Sequence, residues 1–516
     1  MGNTFGLFSS YYLIKDLLEI NKCIDEYPNQ EYNQDNYKYL KNLVIKNGCV
    51  TIKLLQWYIS HLRRKSDKNI KDFCKYFEDI FDQCPYHNLK NTETLFENNF
   101  GFSIYDLIEK DTLETIASGS IGQVYKGKLI NSSSWIAIKI KHPNIDQDVK
   151  KYSFLLKIIS WLQQFEYFDN KYYFQHDLNE FLDDLAEQLD FTIESRNASK
   201  FRQLYKDNPM VYVPKILNYT KDIIISEYVE TIDFYDLSDF NKYKCAINLN
   251  CFMQETTVIH NFIHADLHCK NWQAKKLDDN NYQLVIFDCA LVSSVDDMEG
   301  TKNIWKIFEA CDLNEFEEYN KLLINMVKNN LIETGELTPQ IEDKLSQIYK
   351  KYLSSNLDFS FLGHEILELV YENKFIVNKS FSSVFMMITI LLEFLYEADL
   401  ANNDSSSIKN RSSVIRNNLY EALNFCQVTN SYPLLQENLN KRLDLIKDKN
   451  NTISNLFSDL QRNELTFGSI DDSDDEENNY EGTEETPETE ETEETKETKE
   501  TEETKETKET KETEET

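Results

Sequence analysis

Paired cysteines, basic charge and long apolar runs are scarce in this 516-residue chain. Its ten cysteines are scattered, with no CxxC pair. In a chain of this length that speaks against a disulfide framework and for ordinary core thiols in a reducing compartment. Lysine and arginine number 55 against 89 acidic residues, a formal charge of −34. Nucleic acid needs a basic face, so no nucleic-acid partner is expected. The start, MGNTFGLFSS, lacks the basic region of a secretory signal. Gly2 invites myristoylation, but Gly6 stands where that motif wants Ser or Thr, so a plain start is expected. The apolar stretch 380–392 falls short of the roughly 20 residues that span a bilayer and reads as a buried helix. Together these point to an intracellular protein, soluble or peripherally membrane-associated, with no transmembrane helix.

What is present is a core-forming hydrophobic fraction of 41% and a very uneven charge. Residues 471–516 hold 23 acidic residues and 5 lysines, so more than half of the net charge lies there. From Gly468 onward the Glu/Thr/Lys repeat has almost nothing apolar to offset the entropy of ordering, and an acidic disordered tail is expected over 468–516. Threonine at every third position weakens the alternative of a charged helix.

The remaining pattern reads as α+β. Residues 1–40 are partly helical, and 41–112 carry apolar clusters at helical spacing, an all-α extension. At 113–230 the character changes. SIGQVYKGKLI and WIAIKI read as two antiparallel strands joined by a turn at 131–134. One long helical stretch follows, HDLNEFLDDLAEQLDFTIESRNASKFRQLY, then the strands VYVPKIL and DIIISEYV. Residues 231–400 and the further helices at 401–467 are mostly helical, interrupted by HADLHCKNW and YQLVIFD. A β-rich part before a larger α-rich part is the outline of a bilobal protein-kinase-like fold with a helical N-terminal extension.

Four motifs stand in the order a kinase requires. Ala117-Ser118-Gly119-Ser120-Ile121-Gly122-Gln123-Val124 fits GxGxxGxV except at its first glycine. Glycines there let the backbone approach nucleotide phosphates, although a simple tight hairpin would also use them. Ile136-Ala137-Ile138-Lys139 resembles the strand motif V-A-I-K. An inward-facing lysine needs a partner, here ATP phosphate and a helix glutamate. In His264-Ala265-Asp266-Leu267-His268-Cys269-Lys270-Asn271 the catalytic-loop His, Asp, Leu and Asn keep register. Asp266 would take or position the proton of an attacking hydroxyl, and Asn271 would hold Mg2+. Asp288, after the apolar LVIF, stands where a second magnesium ligand belongs. ATP and Mg2+ are the expected cofactors. No A-P-E-like motif follows Asp288, which makes a docked protein substrate doubtful. His260, His264 and His268 recur at four-residue spacing and would make a metalloenzyme site if they shared a helix. A pseudokinase scaffold that binds nucleotide without turnover is the other alternative.

With these motifs the chain resembles the ABC1/UbiB/ADCK-type atypical kinases over roughly residues 40–400. That family's phosphate loop reads like AAASIGQV and its catalytic loop like HADxHPGN, to be compared with ASGSIGQV and HADLHCKN here. The family signature KxGQ is matched by Lys53-Leu54-Leu55-Gln56, with Leu in place of Gly. The family helix ELDFxxEAxN is matched from Gln188 to Asn197, which implies that Glu194 pairs with Lys139. Gln188 replaces an acid, so Asp190 is left as the implied partner of Lys53 in a lid over the site. The resemblance further implies ATP-dependent phosphotransfer or ATP hydrolysis, and a lipid or isoprenoid-quinone-related small molecule as partner.

Overall fold

The computed structural model describes residues 2–62, 67–81, 83–162, 178–268, 270–278, 281–294, 316–329, 338–354 and 412–467, with isolated positions between 304 and 394. The tail expected over 468–516, Cys269 and most of the stretch 380–392 lie outside the described residues. The chain divides into two units, residues 1–453 and 454–516, and everything below concerns the first, apart from the printed end of the last helix, which lies past residue 453.

The extension begins with helices α1 (Gly2–Glu26), α2 (Gln34–Asn47), α3 (Cys49–Leu62) and α4 (Lys68–Tyr76). The Asn33 side chain caps α2 by accepting from the amides of Asp35 and Asn36, and Gly48 ends it at φ 83°. The four helices close on Tyr37, Phe73 and Phe77, all buried. Leu17, Val50 and Leu54 leave that cluster and pack instead with Ile121 and Phe191 of the next lobe. The extension is thus joined to the lobe by shared apolar burial, at about 25 cal/mol per Å2 of apolar surface removed from water.

After α5 (Leu89–Phe100) come β1 (Glu114–Ser118), β2 (Gly122–Lys128) and β3 (Trp135–Lys141). They lie in a five-stranded antiparallel sheet of order β1-β2-β3-β6-β5, where β5 is Ile216–Tyr219 and β6 is Ile223–Glu227. Helix α6 (Ile145–Leu162) follows β3.

The stretch expected as one helix is two, α7 (Leu178–Gln188) and α8 (Phe191–Leu204). Asp190 interrupts it: its backbone is extended and its side chain caps α8 by accepting from the Thr192 amide. VYVPKIL is likewise two strands. β4 (Val211–Tyr212) pairs in parallel with β9 (Tyr282–Ile286), whereas β5 pairs with β6. Pro214, which has no N–H to donate, stands between them.

The second lobe holds α9 (Asp239–Gln254), β7 (Ile263–His264), β8 (Trp272–Lys276), β10 (Val292–Ser293), α10 (Phe316–Asn329), α11 (Pro339–Ser354), α12 (Ser412–Thr429) and α13 (Pro433–Phe467). Its sheet has the order β4-β9-β8. The boundary expected at 400 falls inside one core, because Leu419, Ala422, Cys426 and Tyr432 are buried with Phe252 and Trp272.

Candidate active site

Strand alternation places the central lysine. Ile136, Ile138 and Ile140 of β3 fill the core behind the sheet, so Lys139 faces the opposite side. There its Nζ lies 2.8 Å from both carboxylate oxygens of Glu194 and 2.9 Å from Asp288 Oδ2. The Phe191 ring lies 5.1 Å from the same ammonium. Glu194 is only 5% exposed and sits in the first turn of α8, held in place by the Asp190 cap.

Asp288 is fixed from several directions. Its Oδ1 accepts from the Ala290 amide at 3.0 Å. Its backbone carbonyl accepts from His264 Nε2. Asn197 Nδ2 donates to Cys289 O at 2.9 Å, and Phe287 N to Asn271 O at 2.9 Å. His264 Nδ1 accepts from the Asp266 amide at 3.3 Å, so the ring is the neutral Nε2–H tautomer. Burial agrees, pushing the His264 pKa down.

Two carboxylates thus share one ammonium, and they respond differently. Burial raises Glu194 to about 7, with the Asp288 charge adding to the rise and Lys139 opposing it. Burial also opposes ionisation of Asp288, but Lys139 and the Ala290 amide outweigh it and hold the carboxyl well below the usual range. Burial alone would lower Lys139; the two carboxylates reverse that and raise it. Asp288 is therefore the firmly ionised member and Glu194 the one able to take a proton near neutrality.

These groups line a cavity of about 220 Å3 between the lobes. Asp266 and Asn271 line it too. Asn271 Nδ2 donates to Asp266 O at 2.6 Å, which commits its nitrogen and leaves the amide oxygen for a cation. The expected phosphate loop closes one side with only Gly119, Ser120 and Ile121 between β1 and β2, and Gly119 N donates to Gly122 O at 2.9 Å. A Cβ on Gly122 would lie 2.8 Å from Ile140 O, so that glycine is required by the close approach of β3. Gly119 has nothing nearer than 3.7 Å and negative-φ backbone, so alanine fits there.

Of the expected phosphate-loop residues, Ser118 and Gln123 do not face the cavity. Both are buried on the other side, against segment 83–87 of the extension. Cys84 N donates to Ser118 O at 2.7 Å, and His87 N to Gln123 Oε1 at 3.0 Å. The period-two alternation that points Ala117 and Val124 inward points their neighbours outward.

The expected Lys53–Asp190 pair is not formed. Asp190 spends its carboxylate on Thr192, accepting at 3.0 Å from the amide and 2.7 Å from Oγ1. Lys53 makes no ion pair among the described residues. It lines the cavity instead, close enough to favour the charged forms of Glu194 and Asp288. Gln56, next along α3, also lines the cavity and donates to Ile80 O at 2.7 Å. One residue that sequence reasoning passed over completes the wall. Phe81 of the extension meets the His268 ring edge-on at 5.2 Å, and His268 Nε2 is 3.8 Å from Asp266 Oδ2. Nothing in the spacing around Phe81 marks it.

The three histidines share no helix. His260 ends a π-turn, His264 is in β7 and His268 is in the following loop. With both His264 nitrogens engaged, and no cluster of three metal-binding side chains among the described residues, the histidine metal site is overturned.

Residues 79–321 match the family model described as the ABC1 atypical kinase-like domain. The chain is similar to the "Probable serine/threonine-protein kinase abkC" of Dictyostelium discoideum, 28% identical over 248 residues, 46% of this chain and 35% of that one. It is similar to the "ABC1 family protein MCP2" of Saccharomyces cerevisiae, 27% identical over 265 residues, 48% of this chain and 45% of that one. It is also similar to the "Probable protein kinase UbiB" of Cellvibrio japonicus, 23% identical over 212 residues, 39% of this chain and 38% of that one. The matched stretch thus spans less than half of each relative. A solved structure from Mycobacterium tuberculosis, Rv3197 with erythromycin, aligns at a TM-score of 0.44 with 15% identity, covering 61% of this chain and 80% of that one.

Proposed function

We propose that the ABC1 atypical kinase-like domain carried by this chain binds ATP with magnesium in the cavity between its lobes, and transfers the terminal phosphoryl group to a small acceptor or to water. The observation that carries this reading is Lys139 held between Glu194 and Asp288 beneath the phosphate loop. Lys139 supplies the charge for phosphate oxygens, and Glu194 keeps it aimed. The oxygen donors of Asp288 and Asn271 fit magnesium, which prefers carboxylate and carbonyl ligands. Magnesium, when bound, offsets phosphate charge and polarises the group to be transferred. Asp266 accepts or orients the acceptor's hydroxyl proton.

Phe81 stands against His268 beside Asp266, so the extension covers the approach a peptide would use. That favours a small acceptor, and the family resemblance makes an isoprenoid-quinone-related molecule the first to try. Among the described residues no helix is long and apolar enough to cross a membrane. The same cover also supports the second reading, a scaffold that binds nucleotide without turnover.

Thermal unfolding of the full chain and of Asp288→Asn, with and without Mg-ATP, tests the site. A ligand at 100 times its Kd stabilises by about 2.7 kcal/mol. The parent should show the magnesium-dependent shift and the variant should lose it; equal shifts would remove Asp288 from the site. ATP turnover, with and without phenol-like or lipid additives, separates enzyme from scaffold.

A further inference from the structure

Behind the phosphate loop runs a chain of neutral hydrogen bonds that the nucleotide-facing residues do not explain. His142 follows β3 directly. Its Nε2 lies 2.9 Å from Gly119 O, and its Nδ1 lies 2.7 Å from His87 Nδ1. His87 Nε2 lies 2.7 Å from Thr92 Oγ1, which lies 2.6 Å from the Tyr125 hydroxyl. Gln123 Nε2 donates to that hydroxyl at 2.7 Å.

Elementary valence fixes every proton in this chain. Gly119 O can only accept, so neutral His142 carries its proton on Nε2 and accepts at Nδ1. His87 must then donate from Nδ1 and accept at Nε2. The Thr92 hydroxyl gives its proton to His87 and accepts from Tyr125, whose oxygen accepts from Gln123. Between the Gln123 amide, which only donates, and Gly119 O, which only accepts, each group donates once and accepts once, so the direction runs without a break from the second strand of the hairpin to the turn. The His142 backbone amide also donates to Ile121 O at 2.9 Å, so one residue grips both ends of the three-residue turn.

We infer that His142 is a positioning residue for the phosphate loop, and that His87 ties its ring to the extension segment that carries Thr92. This inference rests on the nucleotide-binding reading above. His142 restrains the Gly119 carbonyl from behind, and with it the peptide plane whose neighbours face the cavity. Orientation of the loop amides matters to a ligand bearing phosphates and not to one without them, since backbone N–H groups are what a glycine-containing phosphate loop offers. The pair therefore contributes to phosphate affinity and is neutral toward the base and sugar.

Calorimetric titration of the full chain with Mg-ATP and, separately, with adenosine distinguishes this from a merely structural role. For His142→Leu, loss of one such hydrogen bond should weaken Mg-ATP about tenfold. Adenosine affinity should stay at the parent value. His142→Gln, which puts an amide N–H near the Nε2 position, should recover part of the loss. His87→Leu should shift the ratio of the two affinities the same way and by less, and it serves with His142→Gln if His142→Leu does not fold. An unchanged ratio in the variants, or equal loss of both ligands, overturns the positioning role. A parent that binds Mg-ATP no better than adenosine overturns the nucleotide reading first, and the positioning role with it; that outcome is read from the parent alone.

Discussion

Two buried polar groups converge on the phosphate loop from opposite sides, and they are built on different principles. On the cavity side, Lys139, Glu194 and Asp288 are ionisable and unequal in number, two acids to one base. On the extension side, Gln123, Tyr125, Thr92, His87 and His142 are neutral, and each donor meets one acceptor. Counted alone, the first trio has one more acid than base, and Lys53 stands near by in the same cavity. The second is closed on itself and leaves nothing for a ligand. On the proposed reading, binding chemistry and positioning are divided between the two faces of one β-hairpin.

The strongest way to break that contrast is to remove one member from each side. Lys139→Met leaves two carboxylates facing one another, and loss of a buried ionic partner costs about 3–5 kcal/mol. The lower end is expected, because Glu194 can take a proton near pH 7. Thr92→Val takes the donor from His87 Nε2 and the acceptor from the Tyr125 hydroxyl, at a position that is itself fully buried. It should cost about 2 kcal/mol. Urea unfolding of both variants against the parent gives the two values, and a larger loss for Thr92→Val would reverse the ranking.

A smaller effect separates the two sides by pH. Burial and the His142 charge lower His87 to about 4 from 6.5, so its contribution is complete above 6.5 and is lost as pH falls through about 4. His142 moves in the same direction through burial, and Tyr125, the other titratable member of the chain, is raised by burial and stays neutral. Glu194 runs the other way. Its pKa is raised from 4.5 to about 7, so its contribution is complete below 4.5 and is lost as pH rises through about 7. The slopes oppose each other between roughly pH 4.5 and 6.5, the window shared by these values. Glu194→Gln should therefore make stability climb more steeply with pH there. Urea unfolding at half-unit steps measures it, and an unaltered slope would remove Glu194 as the opposing group.

The smallest effect concerns the lid. Val50 and Leu54 are buried in the cluster that joins the extension to the lobe, whereas Lys53 between them forms no ion pair among the described residues. Lys53→Ala should leave hydrogen exchange over residues 45–65 within error of the parent. Marked loosening would restore Lys53 as the attachment point.

The same division decides what could be read from the residues alone. Lys139, Asp266, Asn271 and Asp288 were legible because charged and amide groups at fixed spacing in a strand-and-loop context have few other uses. The bilobal outline followed from the change from helical to β-branched pattern near residue 113. An aspartate ahead of an apolar helical run is a capping signal and marks the break at Asp190, but helical periodicity continues on both sides of it and masks the signal. Pro214 likewise marked the division of VYVPKIL. The hydrogen-bonded chain had no such sign: its histidines are 55 residues apart, and Thr, Tyr and Gln occur on every kind of surface. Whether Lys53 meets Asp190 depends on whether the carboxylate takes a distant lysine or its own helix N-terminus, and the amide two residues away needs no long side chain to be ordered.

The segment 211–219 has a mechanical consequence. Val211 and Tyr212 are pinned to the sheet of one lobe and Ile216 to Tyr219 to the sheet of the other, with Val213, Pro214 and Lys215 as the span between. Arg202 grips that span by donating to Val213 O. Val213 and Pro214 are also part of the cavity wall. Any widening of the cleft must therefore stretch or swing this short strap, and the proline ring allows it little give. The tension that resists opening is carried by the very surface a bound molecule would press against, so the stiffness of the cleft and the fit of its occupant are set by the same two residues.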